Sequence, residues 1–352
     1  MEHGSNRQQE AALGTIGITG EEFRDDDRRA SMRRLPAEQL KALTALDDRR
    51  SALALAQTLL LTAAILAAAV AWWSPWAALA GVFLIATQQH AMFVLAHEAA
   101  HYRLFSNRRL NDLVGRAIGC SAGISMCAYR VIHRLHHNHL YGPQDPDIAL
   151  HGGYPRGKAY LLKKVATDLA GLTAWKTLKY FFGAPAANAE TRQAQRPLDD
   201  TSPALRQAAL RDRWGVLATQ AVLPVAVWAI GGPGALLKYA VLWVLPALTV
   251  LQAILRLRAI AEHGAPAGYA SPLTAARTNL PGPLLRLLLF PHHVNYHVEH
   301  HLFPAVPHYH LPRLHRELRR LGMLDGAEVR YFGDTWKRVY APRAARPESQ
   351  AA

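Results

Sequence analysis

Residues 51–96, SALALAQTLLLTAAILAAAVAWWSPWAALAGVFLIATQQHAMFVLA, contain no Lys, Arg, Asp or Glu. The run is about twice the ~20 residues that cross a bilayer core as a helix. In its middle, Trp72, Trp73 and Trp76 bracket Ser74-Pro75, which reads as a tight turn within an interfacial aromatic belt. Two spans are expected, over 52–73 and 76–96. Residues 214–255, whose one charged residue is Lys238, repeat the plan. There the third and fourth spans are expected over 215–230 and 239–255. Gly231-Gly232-Pro233-Gly234 would make the turn and Pro224 a kink. Two buried hairpins of a soluble protein would rarely stay charge-free for so long, so the expected fold is an all-α integral membrane protein of four transmembrane helices in two hairpins.

Charge follows the same segregation. Of 40 Lys and Arg residues, 39 lie outside the two blocks, in a chain of net charge +14. That is the asymmetry of a mass facing the cytoplasm. No aromatic-interleaved basic motif or zinc finger accompanies it, which argues against nucleic acid as a partner. Cys120 and Cys127 are too few for a disulfide framework or a thiolate metal cluster. The first residues lack a basic stretch leading into an apolar one, so no cleaved signal peptide is expected.

These patterns divide the chain into a cytosolic N-terminal segment (1–50), a first hairpin (51–96), a cytosolic or interfacial region (97–213), a second hairpin (214–255) and a cytosolic C-terminal region (256–352). Residues 1–35, with the charge run 21–29, read as a flexible tail. Leu40, Leu43 and Leu46 give 36–50 a helical rhythm suited either to the membrane surface or to a simple helix ahead of the first span. Residues 113–129 read as an interfacial or half-inserted helix, 154–182 as a basic interfacial helix, and 184–212 as a polar loop. Gly142-Pro143 and Asp145-Pro146 are turn chemistry.

Histidines gather at the cytosolic ends of the apolar segments. His97 and His101 stand one turn apart in HEAAH. His133, His136 and His137 form H-x-x-H-H in HRLHHNH, and His297, His300 and His301 repeat it within PHHVNYHVEHHLFP. On a helix, residues three and four apart share a face, so each cluster can aim neutral imidazoles at one point. Eight imidazoles exceed the three or four ligands of one zinc ion, so two metal ions are the economical reading. Against a bilayer, iron is favoured: lipid C–H bonds offer no leaving group and yield to activated oxygen.

HEAAH followed by RLNDLVG, HHNH followed by DPD, and NYHVEHHLFP together resemble the integral-membrane fatty acid desaturase/hydroxylase superfamily, in its fatty acid desaturase branch. The resemblance covers residues 76–318. It implies a membrane helical fold capped by a cytosolic helical domain that holds a His-rich di-iron site, with two Fe2+ ions as cofactors and O2 as oxidant. His263, just past the fourth span, matches a further ligand of that family. The implied metal ligands are thus His97, His101, His133, His136, His137, His263, His297, His300 and His301. Asn295, Asp145 and Asp147 are candidates to support them. His90 is expected to be hydrogen-bonded within the membrane, His139, His292 and His293 to flank the clusters, and His308, His310 and His315 have no assigned role.

The implied reaction is O2-dependent cis desaturation of an acyl chain carried as acyl-lipid, acyl-CoA or on an acyl carrier. Electrons would come from a separate ferredoxin or b-type cytochrome, since the sequence contains no Cys-rich cluster, H-P-G-G haem motif or strand-borne G-x-G-x-x-G. The protein would sit in a bacterial inner membrane, its site facing the cytoplasm. Hydroxylation, ketolation or desaturation of a carotenoid, alkane or secondary metabolite is the alternative within the superfamily. HEAAH also fits two zinc ligands with Glu98 as general base of an intramembrane protease, a reading that leaves six histidines unexplained.

Overall fold

The computed structural model describes residues 34–142, 145–182, 186–187, 194–195, 202–269 and 271–341. The expected tail over 1–33, Pro143 and most of the loop over 184–201 lie outside the described residues. The protein is mostly helical. Its helices are α1 (Ala37–Thr44), α2 (Asp48–Ala71), α3 (Pro75–Ala100), α4 (Arg108–Ser121), α5 (Met126–Asn138), α6 (Gly157–Leu169), α7 (Ala174–Phe181), α8 (Pro203–Tyr239), α9 (Val250–His263), α10 (His297–Leu302) and α11 (Leu311–Arg320), with shorter turns between them. Among the described residues four short strands form two pairs: β1 (Ala186–Ala187) with β2 (Ala194–Gln195), antiparallel, and β3 (Thr278–Leu280) with β4 (Val329–Tyr331), parallel.

Local chemistry sets the boundaries. The Asp47 carboxylate accepts from the N–H groups of Arg49 and Arg50 and starts α2. Ser74 does the same for α3 by accepting from Ala77, with Pro75 in the first turn. The tryptophan-flanked turn therefore lies where the sequence put it. Among the described residues, three helical segments are long and apolar enough to cross a membrane: 37–71, 75–100 and 203–263. Leu60, Trp76, Leu79 and Ile230 stand well exposed on them, as lipid-facing residues would.

The second apolar block departs from two simple spans. α8 continues through Pro224, and only Gly232 leaves helical geometry, at φ 66° and ψ −165°, a region suited to glycine. A π-helical turn follows at Ala240–Val244, and Thr249 (φ −124°, ψ −88°) separates it from α9. The Trp243 carbonyl accepts from Gln89 Nε2 at 2.8 Å and so ties this segment to α3.

Three expectations are corrected. Residues 113–129 are not one half-inserted helix: Gly123, at φ 76°, ends α4, and Ser125 caps α5 by accepting from Ala128. Residues 154–182 are likewise split into α6 and α7, around Gly171 at φ 75°. The polar-looking 203–212 is helix, not loop. Its Ala and Leu residues favour helix, and its one apolar stripe buries Ala209 against Cys127 and Val131 of α5. Within 36–50, α1 is a helix ahead of the first span, and its Leu43 is 1% exposed in a cluster with Val298 and Leu302 of α10 and Leu314 of α11.

Gly119 places α4 against the start of α5. A Cβ there would stand 2.8 Å from the Ile124 carbonyl oxygen and 3.0 Å from Met126 Cγ. Gly119→Ala is expected to destabilise the protein by about 1–3 kcal/mol, whereas Gly234→Ala, where a Cβ meets nothing within 4 Å, is expected to be neutral. Thermal unfolding in detergent measures both, and equal melting temperatures for the two variants would contradict this packing.

Candidate metal centre

Four helix segments bring the histidines together. His97 occupies the last turn of α3 and His101 caps it. α5 carries His133, His136 and His137, α9 ends on His263, and α10 carries His297, His300 and His301. All nine histidines singled out in the sequence fall into two groups with ligand atoms within 4.8 Å of one another: His97, His101, His133, His137 and His300, and His136, His263, His297 and His301. His136 also neighbours Asp145 and His151 in a third group.

The nitrogens within each group converge. In the first, His137 Nε2 lies 3.0 Å from both His133 Nε2 and His300 Nε2. In the second, His297 Nε2 lies 2.7 Å from His263 Nε2 and 3.2 Å from His301 Nε2, with His136 Nε2 3.3 Å from His263 Nε2. Nitrogens that share one ion at roughly 2.0–2.1 Å sit about 3 Å apart at adjacent positions. Neutral imidazole has one N–H, so protons alone satisfy such a ring poorly. His97 Nε2 is buried with no hydrogen-bond partner. The residues present therefore fit two metal ions, and an all-imidazole set suits iron among other transition metals.

Electrostatics favour ligation. Burial, followed by the surrounding histidines, holds His133, His137, His297 and His301 well below the usual imidazole range, so they stay neutral. His136 differs. Burial opposes its charge, yet Asp145 and Asp147 lift it to about 9. Asp145, fully buried, lies 2.9 Å from His136 Nδ1, and Asp147 3.6 Å. With Nε2 engaged by a cation, the Nδ1 proton would remain on the Asp145 hydrogen bond, which orients the ring and raises its basicity. Asp145 is itself fixed by the N–H of Tyr141 at 2.9 Å, and Asp147 accepts from the Tyr180 hydroxyl.

The remaining residues divide clearly. Asn295 does not cap α10; its amide donates to the Asn279 carbonyl at 3.0 Å, and its Oδ1 is buried with no hydrogen-bond partner. His90 is buried 3.4 Å from the Arg258 guanidinium. His292 pairs with Thr58 at 3.0 Å, His293 with Arg286 at 2.9 Å, and His139 is half-buried. His315 bonds Glu299, and His308 lines a small void beside His97 and Glu98. His310 is half-buried at the start of α11. Glu98 accepts from the His308 N–H at 2.9 Å and lies 3.4 Å from His97 Nδ1, out of line for a hydrogen bond. Asp325, the acid a protease reading needs, is exposed.

Sequence reasoning passed over His151, Arg277 and Glu299. Arg277, 1% exposed, donates to the carbonyls of Ala261, Gly264 and Ala265 and to Glu328, which closes the end of α9. His263 Nδ1 then bonds the Ala275 carbonyl at 3.1 Å. Beside the second group opens a cavity of about 780 Å³, walled by Phe93, Tyr129, Phe181 and Leu255 and reaching His133, His136, His263 and His297.

The family described as Fatty acid desaturase matches residues 71–333. The chain is similar to Dihydrorhizobitoxine desaturase of Bradyrhizobium elkanii, 29% identical over 68% of this chain and 66% of that protein. It is similar to Zeaxanthin 4-ketolase of Chlamydomonas reinhardtii, at 33% over 32% of this chain and 27% of that protein. It is also similar to the chloroplastic Omega-3 fatty acid desaturase of Glycine max, at 26% over 63% and 49%. The aligned stretches thus cover less than two thirds of each relative's own length.

Asp145→Asn keeps the shape and removes the charge behind His136. It is expected to weaken metal binding at the second group roughly 10–100-fold, while the first group, which Asp145 does not touch, stays loaded. Metal analysis after dialysis against graded chelator measures this; an unchanged metal-to-protein ratio would contradict the supporting role of Asp145.

Proposed function

The chain belongs to the fatty acid desaturase family, and we propose that within it the protein is an O2-dependent desaturase that introduces a cis double bond into an acyl chain. The observation that carries this reading is the pair of adjoining imidazole groups, of which His133, His136, His263 and His297 line a cavity of about 780 Å³. His97, His101, His133, His137 and His300 would hold one iron ion, and His136, His263, His297 and His301 the other. When bound, the two ions supply the O2 activation needed to take hydrogen from an unactivated methylene.

The chain's own residues do the rest. Phe93, Tyr129, Phe181 and Leu255 give a methylene chain apolar walls and keep water from the reacting carbons. Asp145 and the Ala275 carbonyl hold the Nδ1 protons of His136 and His263, leaving each Nε2 as the ligand atom. Electrons come from an external donor, a ferredoxin or b-type cytochrome, steered by the basic charge of the chain. Oxygenation or ketolation is the second reading, favoured by the similarity to a ketolase.

We place the site on the cytosolic side of a bacterial inner membrane, with four spans in two hairpins and a cytosolic helical cap. Length supports a return at Gly232. A straight helix over 203–263, a segment of 61 residues, would be about 90 Å long, three times the ~30 Å hydrocarbon core. Cysteines introduced at positions 74 and 232 are expected to react with an impermeant reagent from outside, and those at 107 and 326 from the cytosol only. Outside labelling at position 107 would sink this topology.

Co-expression with a compatible ferredoxin, followed by mass spectrometry of lipids and metabolites, tests the reaction. Loss of two hydrogens in an acyl chain is expected, together with its disappearance in each His→Ala variant of the nine. A gain of one oxygen would favour the second reading, and a change confined to carotenoids or polar metabolites would refute the acyl substrate.

A further inference from the structure

The two imidazole groups are unequal in number. The first contains five histidines and the second four, His136, His263, His297 and His301. Neutral imidazoles add no charge, so an ion held by these four alone would keep its full charge in a buried place, which is costly. Iron(II) sites commonly combine imidazoles with a carboxylate, and a carboxylate stands beside this group.

That carboxylate belongs to Glu262, which precedes His263 on α9 and is 2% exposed. Arg258, one turn earlier, donates to its Oε2 at 3.0 Å. Its Oε1 is buried with no hydrogen-bond partner among the described residues. Half of a buried carboxylate therefore lacks a donor, a condition that native interiors rarely tolerate unless water or an ion supplies the partner. Anchored at one oxygen only, the group can turn about that anchor.

Position separates Glu262 from the other carboxylates near the histidines. Among the described residues, Asp145 and Asp147 approach His136 at Nδ1, and Glu98 approaches His97 at Nδ1. Glu262 Oε2 instead lies 3.8 Å from His297 Nε2. That is the nitrogen which His297 turns toward the group, 2.7 Å from His263 Nε2 and 3.2 Å from His301 Nε2. Two atoms that each sit about 2.1 Å from one ion are about 3.0 Å apart when adjacent and about 4.2 Å apart when opposite. The separation of Glu262 from His297 falls inside that interval. Glu262 also shares the wall of the 780 Å³ cavity with His136, His263 and His297.

We propose that Glu262 is a carboxylate ligand of the second ion: with Oε2 kept on Arg258, its Oε1 turns onto the ion beside His297. The proposal rests on the reading of the two groups as an iron pair and adds an oxygen donor to one of them. The two ions then differ in kind, one held by five neutral imidazoles and the other by four imidazoles and an anion. Arg258 orients the carboxylate without touching the ion.

Metal retention and iron spectroscopy test this without turnover. The full-length protein, loaded with isotopically enriched iron in detergent, is dialysed against graded chelator, and its Mössbauer spectrum is recorded. The wild type is expected to show two ferrous sites with different quadrupole splittings. Glu262→Gln is expected to weaken retention of one ion of the two on the order of 100-fold, no less than loss of a supporting carboxylate costs, and to alter the spectrum of that site alone. Arg258→Gln breaks the same ion pair but keeps the carboxylate, and is expected to retain both ions. Glu262→Gln/Arg258→Gln leaves no unpaired guanidinium and is expected to lose the ion as Glu262→Gln does; it also serves if the single variant does not fold. Full retention in Glu262→Gln, equal weakening by Glu262→Gln and Arg258→Gln, or recovery of the ion in the double variant overturns the proposal and leaves Glu262 as a partner of Arg258 alone. A wild type that holds fewer than two ions refutes the iron pair and the proposal with it. A protein whose second ion depends on Glu262 but which forms no double bond keeps the ligand and refutes the desaturase reading instead.

Discussion

Nine imidazoles turned toward one another in a protein interior are the constraint on which the rest of the structure depends. Each buried ring nitrogen removed from water needs a partner. Nitrogens placed 2.7–3.3 Å apart cannot all obtain one from each other, because neutral imidazole offers a single proton. A shared cation satisfies every lone pair at once, so the arrangement is costly without metal and stable with it. To build it, the chain must deliver the end of α3, the face of α5, the end of α9 and the whole of α10 to one volume. Helical spacing does this cheaply within each segment, since residues three and four apart already share a face. Bringing the segments together is the task of the tertiary fold.

A buttressing layer performs that task, and it draws on residues far from the histidine motifs. Arg277 replaces the missing hydrogen-bond donors at the carboxyl end of α9 with a buried guanidinium anchored on Glu328. Glu299 lies between His297 and His300 on α10, is fully buried, and is held by Thr278 of β3 and by His315 of α11. Because α10 has only six residues, those two anchors decide how the helix is rotated and hence where three imidazoles point. The parallel β3–β4 pair, otherwise a minor element, fixes Thr278 in register with Val329. The C-terminal region is therefore part of the site.

What could be read in the sequence follows from how local each signal is. Charge-free length, the tryptophan-flanked turn and histidine spacing are properties of single segments, and the structure keeps the Ser74 turn and gathers the nine histidines into two groups. The signals that failed are tertiary. Residues 203–212 look like loop because their one apolar stripe is narrow, and only α5 shows what Ala209 is for. Leu43 shows a helical rhythm in the sequence, and only α10 and α11 show what it packs against. His151 is 1% exposed beside Asp145, yet a lone histidine between Leu150 and Gly152 carries no spacing to distinguish it. Arg277, in a stretch rich in Ala and Thr, reads as an exposed cation. The break at Thr249 has no Gly or Pro at that residue to announce it.

The two imidazole groups are not equivalent with respect to the cavity. Three of the four histidines in the second group, His136, His263 and His297, form part of its wall, whereas only His133 of the first does. The first group is closed on its other side by Glu98, whose carboxylate is held by the His308 N–H, and by Val294 and Leu311 around a void large enough for about one water. A molecule that enters the cavity therefore approaches from one direction and meets the second group first. Carboxylates adjoin both groups: Asp145 and Asp147 lie beside His136 and Glu262 beside His297, and Glu98 lies beside His97 of the first group. Asp145, fully buried at His136 Nδ1, raises the basicity of a histidine that lines the cavity. The open wall and the Asp145–His136 contact thus belong to the same group, the one that faces the cavity.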